Sequence, residues 1–218
     1  MRRILSRILM LVIVFIFMPL QGFAQSDRQT GAEDRHELNI LTDVILKDKF
    51  SIQTIAGVLY SPVYKKSRPD LTYAMTDLRF IWGLDPDLTT RKLNWEGNFE
   101  FIFELTHSFI FEGAGSVISG VTCLLRYNLP CHTNRLFPYI QAGAGLVYTN
   151  SYKDLSQSLI GQALEFNPQF SVGVHYLLKK NWSLDGETMF HHISNAGMND
   201  RNTGVNAIGA LLGVTCYF

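Results

Sequence analysis

From Phe50 to Phe218 apolar and polar residues alternate along this sequence, and clusters of Pro, Gly, Asn and Lys interrupt the alternation at intervals. A period of two sends successive side chains to opposite faces of an extended strand. Eight such segments are read: Ser51 to Ser61, Leu71 to Gly83, Asn94 to Thr106, Ser116 to Asn128, Leu136 to Thr149, Phe166 to Leu178, Trp182 to Ser194, and Val205 to Phe218. Most exceed the roughly 5 to 6 residues usual in soluble strands and fit the roughly 9 to 11 that cross a bilayer at a tilt. An even number of long antiparallel strands implies closure. The expected fold is all-β, an eight-stranded antiparallel transmembrane β-barrel over residues 50–218.

The two faces of each segment separate this from its rival, a soluble β-sandwich. In the third segment Trp95, Phe99, Phe101, Phe103 and Leu105 share one face, while Glu96, Asn98, Glu100 and Glu104 share the other. The second sets Leu78, Phe80 and Trp82 against Tyr73, Asp77 and Arg79. The sixth sets Phe170, Val172, Val174 and Tyr176 against Gln169, Ser171, Gly173 and His175. A membrane barrel puts the aromatic rows on lipid and fills its narrow bore with the polar ones, where Asp77, Arg79, Glu96, Glu100, Glu104, Arg126, Asp185 and Glu187 can pair. A sandwich would instead have to bury the aromatic rows against a second sheet. The last segment favours the barrel, ending on an aromatic residue with Leu212, Val214, Cys216 and Phe218 on one face.

The N-terminus points to export. Arg2, Arg3 and Arg7 precede an apolar run from Ile8 to Leu20 that ends at Gly22-Phe23-Ala24, the pattern of a signal peptide over residues 1–24 cleaved after Ala24. The run is shorter than the roughly 20 residues of a spanning helix. Residues 25–49 read as a polar extension, in which Leu38-Asn39-Ile40-Leu41 and Val44-Ile45-Leu46 are compatible with a short helix. The formal charge is zero, so there is no electrostatic case for a nucleic-acid partner. Cys123, Cys131 and Cys216 are odd in number and unpaired in spacing, and imply neither a disulfide framework nor a metal site.

Lys179-Lys180-Asn181 reads as a tight turn, and short turns face the periplasm in such barrels. The seventh strand then runs outward, and Ser194 reaches the outer leaflet. Its lipid-facing row is Trp182, Leu184, Gly186, Thr188 and Phe190, and the next two members are His192 and Ser194. Two polar residues thus stand where apolar ones belong. In the last strand the lipid-facing row reaches Asn206, which a hairpin would bring beside them.

A serine hydroxyl becomes a useful nucleophile when an imidazole can take its proton, and the imidazole needs an acceptor to fix its tautomer. His192 and Ser194 point the same way on a strand. Asn206, or Asp200 from the intervening loop, can supply the third group, and Asn195, the backbone near Gly197, and Asn202 are candidate donors to an oxyanion. The plainer reading is that His192 and Ser194 end a strand in the interfacial zone. His191 alternates inward, near Glu187, as a structural partner; His107 and His132 fall at strand ends or turns. The charged interior reads as packing, since eight strands leave no aqueous channel.

The segment His192-Ile193-Ser194-Asn195-Ala196-Gly197, followed by Asn202-Thr203-Gly204-Val205-Asn206 and a terminal strand, resembles the signature of the lipid A 3-O-deacylase (PagL) family. The resemblance extends through Arg126-Tyr127-Asn128, Pro138 to Gly145 and Phe166-Asn167-Pro168-Gln169. It implies an outer-membrane enzyme that hydrolyses an acyl ester of lipopolysaccharide, with lipid A as partner, without metal or cofactor. His192 then matches the general base, Ser194 the nucleophile, and Asn195, Gly197 and Asn202 the surroundings of the oxyanion hole. One position departs: Asn206 stands where the family has a glutamate. The alternative is a non-catalytic barrel, structural or adhesin in type, that keeps this scaffold; a homodimer is open to either.

Overall fold

The computed structural model describes residues 50–61, 71–84, 97–130, 135–179 and 181–218. The signal peptide and extension expected over residues 1–49, together with Trp95, Glu96, Cys131, His132 and Lys180, lie outside them.

The described strands are β1 (Phe50–Ser61), β2 (Leu71–Gly83), β3 (Asn98–Glu112), β4 (Val117–Asn128), β5 (Leu136–Thr149), β6 (Leu164–Phe166), β7 (Gln169–Lys179), β8 (Trp182–Ile193) and β9 (Val205–Tyr217). Neighbours pair antiparallel, and β1 closes on β9 in the register Ser51↔Tyr217 to Tyr60↔Ile208. The result is a closed antiparallel barrel of eight staves. β6 and β7 together form one stave, because both pair with β5, at Leu146–Tyr148 and Leu136–Gly143. Pro168 has no N–H to donate and splits the expected Phe166–Leu178 strand in two. The Asn167 N–H still bonds the Gly145 carbonyl, and the inward-outward alternation runs through the break unchanged.

β3 departs most from the sequence expectation, continuing beyond Thr106 to Glu112. Its parity persists, with Ser108 inward and Phe109 and Phe111 on the exterior. His107 therefore lies within a strand rather than at its end, and its Nδ1 is 2.7 Å from Ser119 Oγ of β4. Cys123 and Cys216 are free and sit on outward rows.

Phe50 and Phe218 lie at one end, where the Phe218 N–H bonds the Phe50 carbonyl. There the rings of Phe50, Phe218, Trp82 and Phe101 form a chain with centroids 5.5 to 6.1 Å apart, part of an aromatic girdle. The same end carries the two-residue β7–β8 connection, where Lys179 faces Trp182. It also carries the longer connections 84–97 and 129–135, so not every link there is short. The connections 62–70, 113–116, 150–163 and 194–204 emerge at the opposite end.

The bore changes character along its axis. Nearer Phe50 and Phe218 it is polar: the Arg79 guanidinium donates to Glu104 at 2.7 Å, to Glu187 at 2.7 and 3.0 Å, and to Gln53 at 3.0 Å. Arg126 bonds Gln141, Gln53 and, at 3.5 Å, Glu100. Asp185 accepts from Ser183, Gln53 and Thr215 and lies 2.6 Å from His175. Tyr139 donates to Glu187 and lies beneath Arg126, and its ring occupies space that any side chain at Gly173 would fill. Charges taken from water hold their place only when so paired. Toward the opposite end the inward row of β8 changes from Ser183, Asp185 and Glu187 to Met189, His191 and Ile193, and around His191 the lining becomes apolar with Leu59, Leu71, Ile118, Val147 and Val205. Leu159 and Ile160, from the 150–163 connection, are buried in this layer and stopper the bore.

Candidate functional site

Three backbone hydrogen bonds fix the Ile193 end of β8 and Ser194 beyond it. The His192 N–H bonds the Pro168 carbonyl at 3.0 Å, and Ser194 exchanges both its backbone groups with Phe166 at 2.8 and 3.0 Å. Across the other edge His192 faces Asn206 of β9 directly. Strand parity turns the side chains of His192, Ser194 and Asn206 to the barrel exterior, where each is partly buried.

The three groups meet. His192 Nδ1 is 2.6 Å from Asn206 Oδ1, and His192 Nε2 is 2.9 Å from Ser194 Oγ. An amide oxygen can only accept, so the imidazole carries its proton on Nδ1 and offers the Nε2 lone pair to the Ser194 hydroxyl. That is the tautomer a general base needs. Asp200 is exposed on the 194–204 connection and makes no bond to the ring, whose Nδ1 is already taken by Asn206. Phe166, Phe170, Phe190 and Ile208 surround the three with side chains 39–47 % exposed, so the hydroxyl sits in an apolar surface.

Beyond Ser194 the chain turns through two left-handed residues, Ala196 at φ 53° and Gly197 at φ 84°. Asn195 is buried and organises this turn. Its Oδ1 accepts from the Gly197 N–H at 3.0 Å, its own N–H donates to Asn202 Oδ1 at 3.0 Å, and its Nδ2 donates to the Arg201 carbonyl at 3.3 Å. Of the expected oxyanion donors, the backbone N–H groups of Asn195 and Gly197 are thus engaged inside the loop. The Asn202 amide nitrogen makes no hydrogen bond among the described residues.

Several supports of the site carry no sequence signal. Arg201 donates to the carbonyls of Asp154 and Tyr152, and Thr203 donates to the Ser158 carbonyl through both N–H and hydroxyl. Asp154 is held below the usual carboxylate range, first by the Ser156 hydroxyl and then by the Ser156 N–H, so this rim stays ionised. Gly204, at φ 71°, brings its backbone so close to His192 that a side chain there would lie 3.1 Å from the ring's Cε1. His191, the neighbour of His192, points inward and bonds Tyr73 rather than Glu187, with Nδ1 2.7 Å from the phenol oxygen.

The family profile for lipid A 3-O-deacylase (PagL) matches residues 70–215, more than half of the chain. No curated protein sequence matches. Among solved structures the chain is similar to the outer membrane enzyme PagL, with 17 % identity and a TM-score of 0.54 over 73 % of this chain and 97 % of that one. It is similar also to Neisserial surface protein A, with 13 % identity and a TM-score of 0.55 over 78 % of this chain and 97 % of that one. At these identities the two structures speak to the fold, that of small outer-membrane barrels.

Proposed function

The chain belongs to the lipid A 3-O-deacylase (PagL) family, and from that premise we propose that it is an esterase that removes a fatty acyl chain from lipid A through Ser194, His192 and Asn206. The observation that carries the reading is the outward-facing relay of two short hydrogen bonds, Ser194 to His192 to Asn206. His192 Nε2 takes the hydroxyl proton as Ser194 Oγ adds to the ester carbonyl. As the tetrahedral intermediate collapses, the imidazolium returns that proton to the leaving alkoxide of the sugar, and an acyl-enzyme remains. Water, deprotonated by the same nitrogen, then releases the fatty acid. The amide of Asn202, uncommitted among the described residues, is the candidate donor to the oxyanion, each such donor being worth roughly 10²–10³ in rate.

Asn206 does part of the work of a carboxylate. It holds the ring in the productive tautomer, whereas the Asp-to-Asn change in serine proteases, costing about 10⁴ in kcat, presents the wrong one. It cannot neutralise the imidazolium that forms in the transition state. The reaction is therefore slower than with an acid, and it proceeds without metal or cofactor. In cells the precursor loses residues 1–24, and the barrel of residues 50–218 follows an extension over 25–49. The site end faces outward, so the substrate is lipid A of the outer leaflet.

A non-catalytic barrel is the second reading, favoured by the amide at position 206. Mass spectrometry of lipid A from cells expressing the wild type and Ser194→Ala separates the two. A mass loss of one acyl chain that needs Ser194 supports the esterase; identical spectra, with both barrels in the membrane, support the scaffold.

A further inference from the structure

The connection 150–163 is tied to the backbone beside His192 through a series of hydrogen bonds that begins at Gln157. This side chain is buried, and its amide makes five hydrogen bonds to the loop's own backbone. Nε2 donates to the carbonyls of Ser151, Asp154 and Ile160 at 2.8 to 3.1 Å, and Oε1 accepts from the N–H groups of Leu159 and Ile160 at 2.7 and 3.0 Å. Gln157 thereby fixes the turn that drives Leu159 and Ile160 into the apolar mouth of the bore. The same turn aims two carbonyls at the neighbouring connection. Ser158 O receives Thr203 N–H and hydroxyl, and Leu159 O receives Gly204 N–H at 3.0 Å. Gly204 in turn runs so near His192 that a Cβ added to it would lie 3.1 Å from Cε1 and 3.7 Å from Nε2, the nitrogen facing Ser194.

We propose that Gln157 is a positioning residue for His192, acting through the Leu159 carbonyl and Gly204, so that the stopper of the bore also sets the face of the imidazole. The proposal rests on the esterase reading of the same site. The Cβ–Cγ bond and the two hydrogen bonds together set the ring plane, and the lengths of both hydrogen bonds depend on side-chain torsions that close neighbours restrict. The Gly204 backbone restricts those torsions beside Cε1, and its own place is set by the Leu159 carbonyl, which depends on Gln157. Small displacements of a general base cost large factors in rate.

The test uses the full chain in outer membranes and in detergent micelles, with heat-dependent gel mobility as the check on folding. Gln157→Ala is expected to lower kcat of lipid A deacylation about 10- to 100-fold with little change in KM. In ¹⁵N-histidine-labelled protein the His192 ring, assigned by its loss in His192→Gln, is expected to give up its single Nδ1–H signal while interior His175 keeps its own. Gln157→Glu, which retains the acceptor for Leu159 and Ile160, should recover part of both. A folded Gln157→Ala barrel whose His192 signal matches the wild type overturns the proposal, as does an equal change at His175. If Gln157→Ala does not fold, Gln157→Glu, which removes only the donor to the Ser151, Asp154 and Ile160 carbonyls, stands in for it; a His192 signal there equal to the wild type overturns the proposal. Should the wild type release no fatty acid, the esterase reading falls, while the ring signals still decide whether Gln157 positions His192.

Discussion

His191 and His192 are adjacent in the chain and lie on opposite sides of the barrel wall. His191 is sealed inside, bonded to Tyr73 beneath the apolar layer that Leu159 and Ile160 complete. His192 stands outside among Phe166, Phe170, Phe190 and Ile208, and joins Asn206 to Ser194. Inside a narrow bore a polar group is an ordinary filling, and folding alone explains it once it finds a partner. On the lipid face polar groups lower stability, so a convergent set of three there needs another reason. A hydrogen-bonded histidine thus carries different meaning on the two sides of the wall.

Substitutions on each side can break or sharpen that contrast. Ser194→Ala should abolish deacylation, a loss of at least about 10³-fold, and leave heat-dependent gel mobility unchanged; residual acyl loss in the lipid A spectrum would place the nucleophile elsewhere. Arg79→Met should act on the fold instead, by about 3–5 kcal/mol, because Glu187 and Glu104 would lose their buried counterion. Urea titration in micelles measures it, and a shift in activity without one in stability would contradict the division. Asn206→Glu should raise the deacylation rate by about 10- to 100-fold, since the tautomer is already correct and only the charge is missing; a fall would show that the relay is built on a different group. Tyr73→Phe should cost about 1 kcal/mol through His191 and leave the rate unaltered, again by urea titration beside the mass-spectrometric assay.

Much of this arrangement is legible in sequence because strand parity is a rule of local geometry. Counting by twos along β8 puts His192 and Ser194 outward and His191 inward, and counting back from Phe218 puts Asn206 with the former. The same count fails where tertiary partners decide. Nothing in Thr106–Phe111 says that β3 runs on, since its partners in β2 and β4 are remote in the chain. Pro168 interrupts a stave without ending it, because the closed barrel holds both pieces to β5. The apolar layer of the bore needs Leu159 and Ile160, which sit in a stretch with no periodicity at all. Likewise, the amide partner of Asn195 and the five bonds of Gln157 join residues whose spacing announces no motif.

The stoppered bore and the sideways-facing hydroxyl together decide how this protein meets other molecules. Among the described residues the mouth of the bore is filled by Leu159 and Ile160, while Ser194 opens on the lipid flank. Lipid in the same leaflet slides past the flank at every moment. On the esterase reading proposed above, encounter is therefore two-dimensional, scaling with the mole fraction of the acylated lipid in the leaflet and with the fluidity of that leaflet.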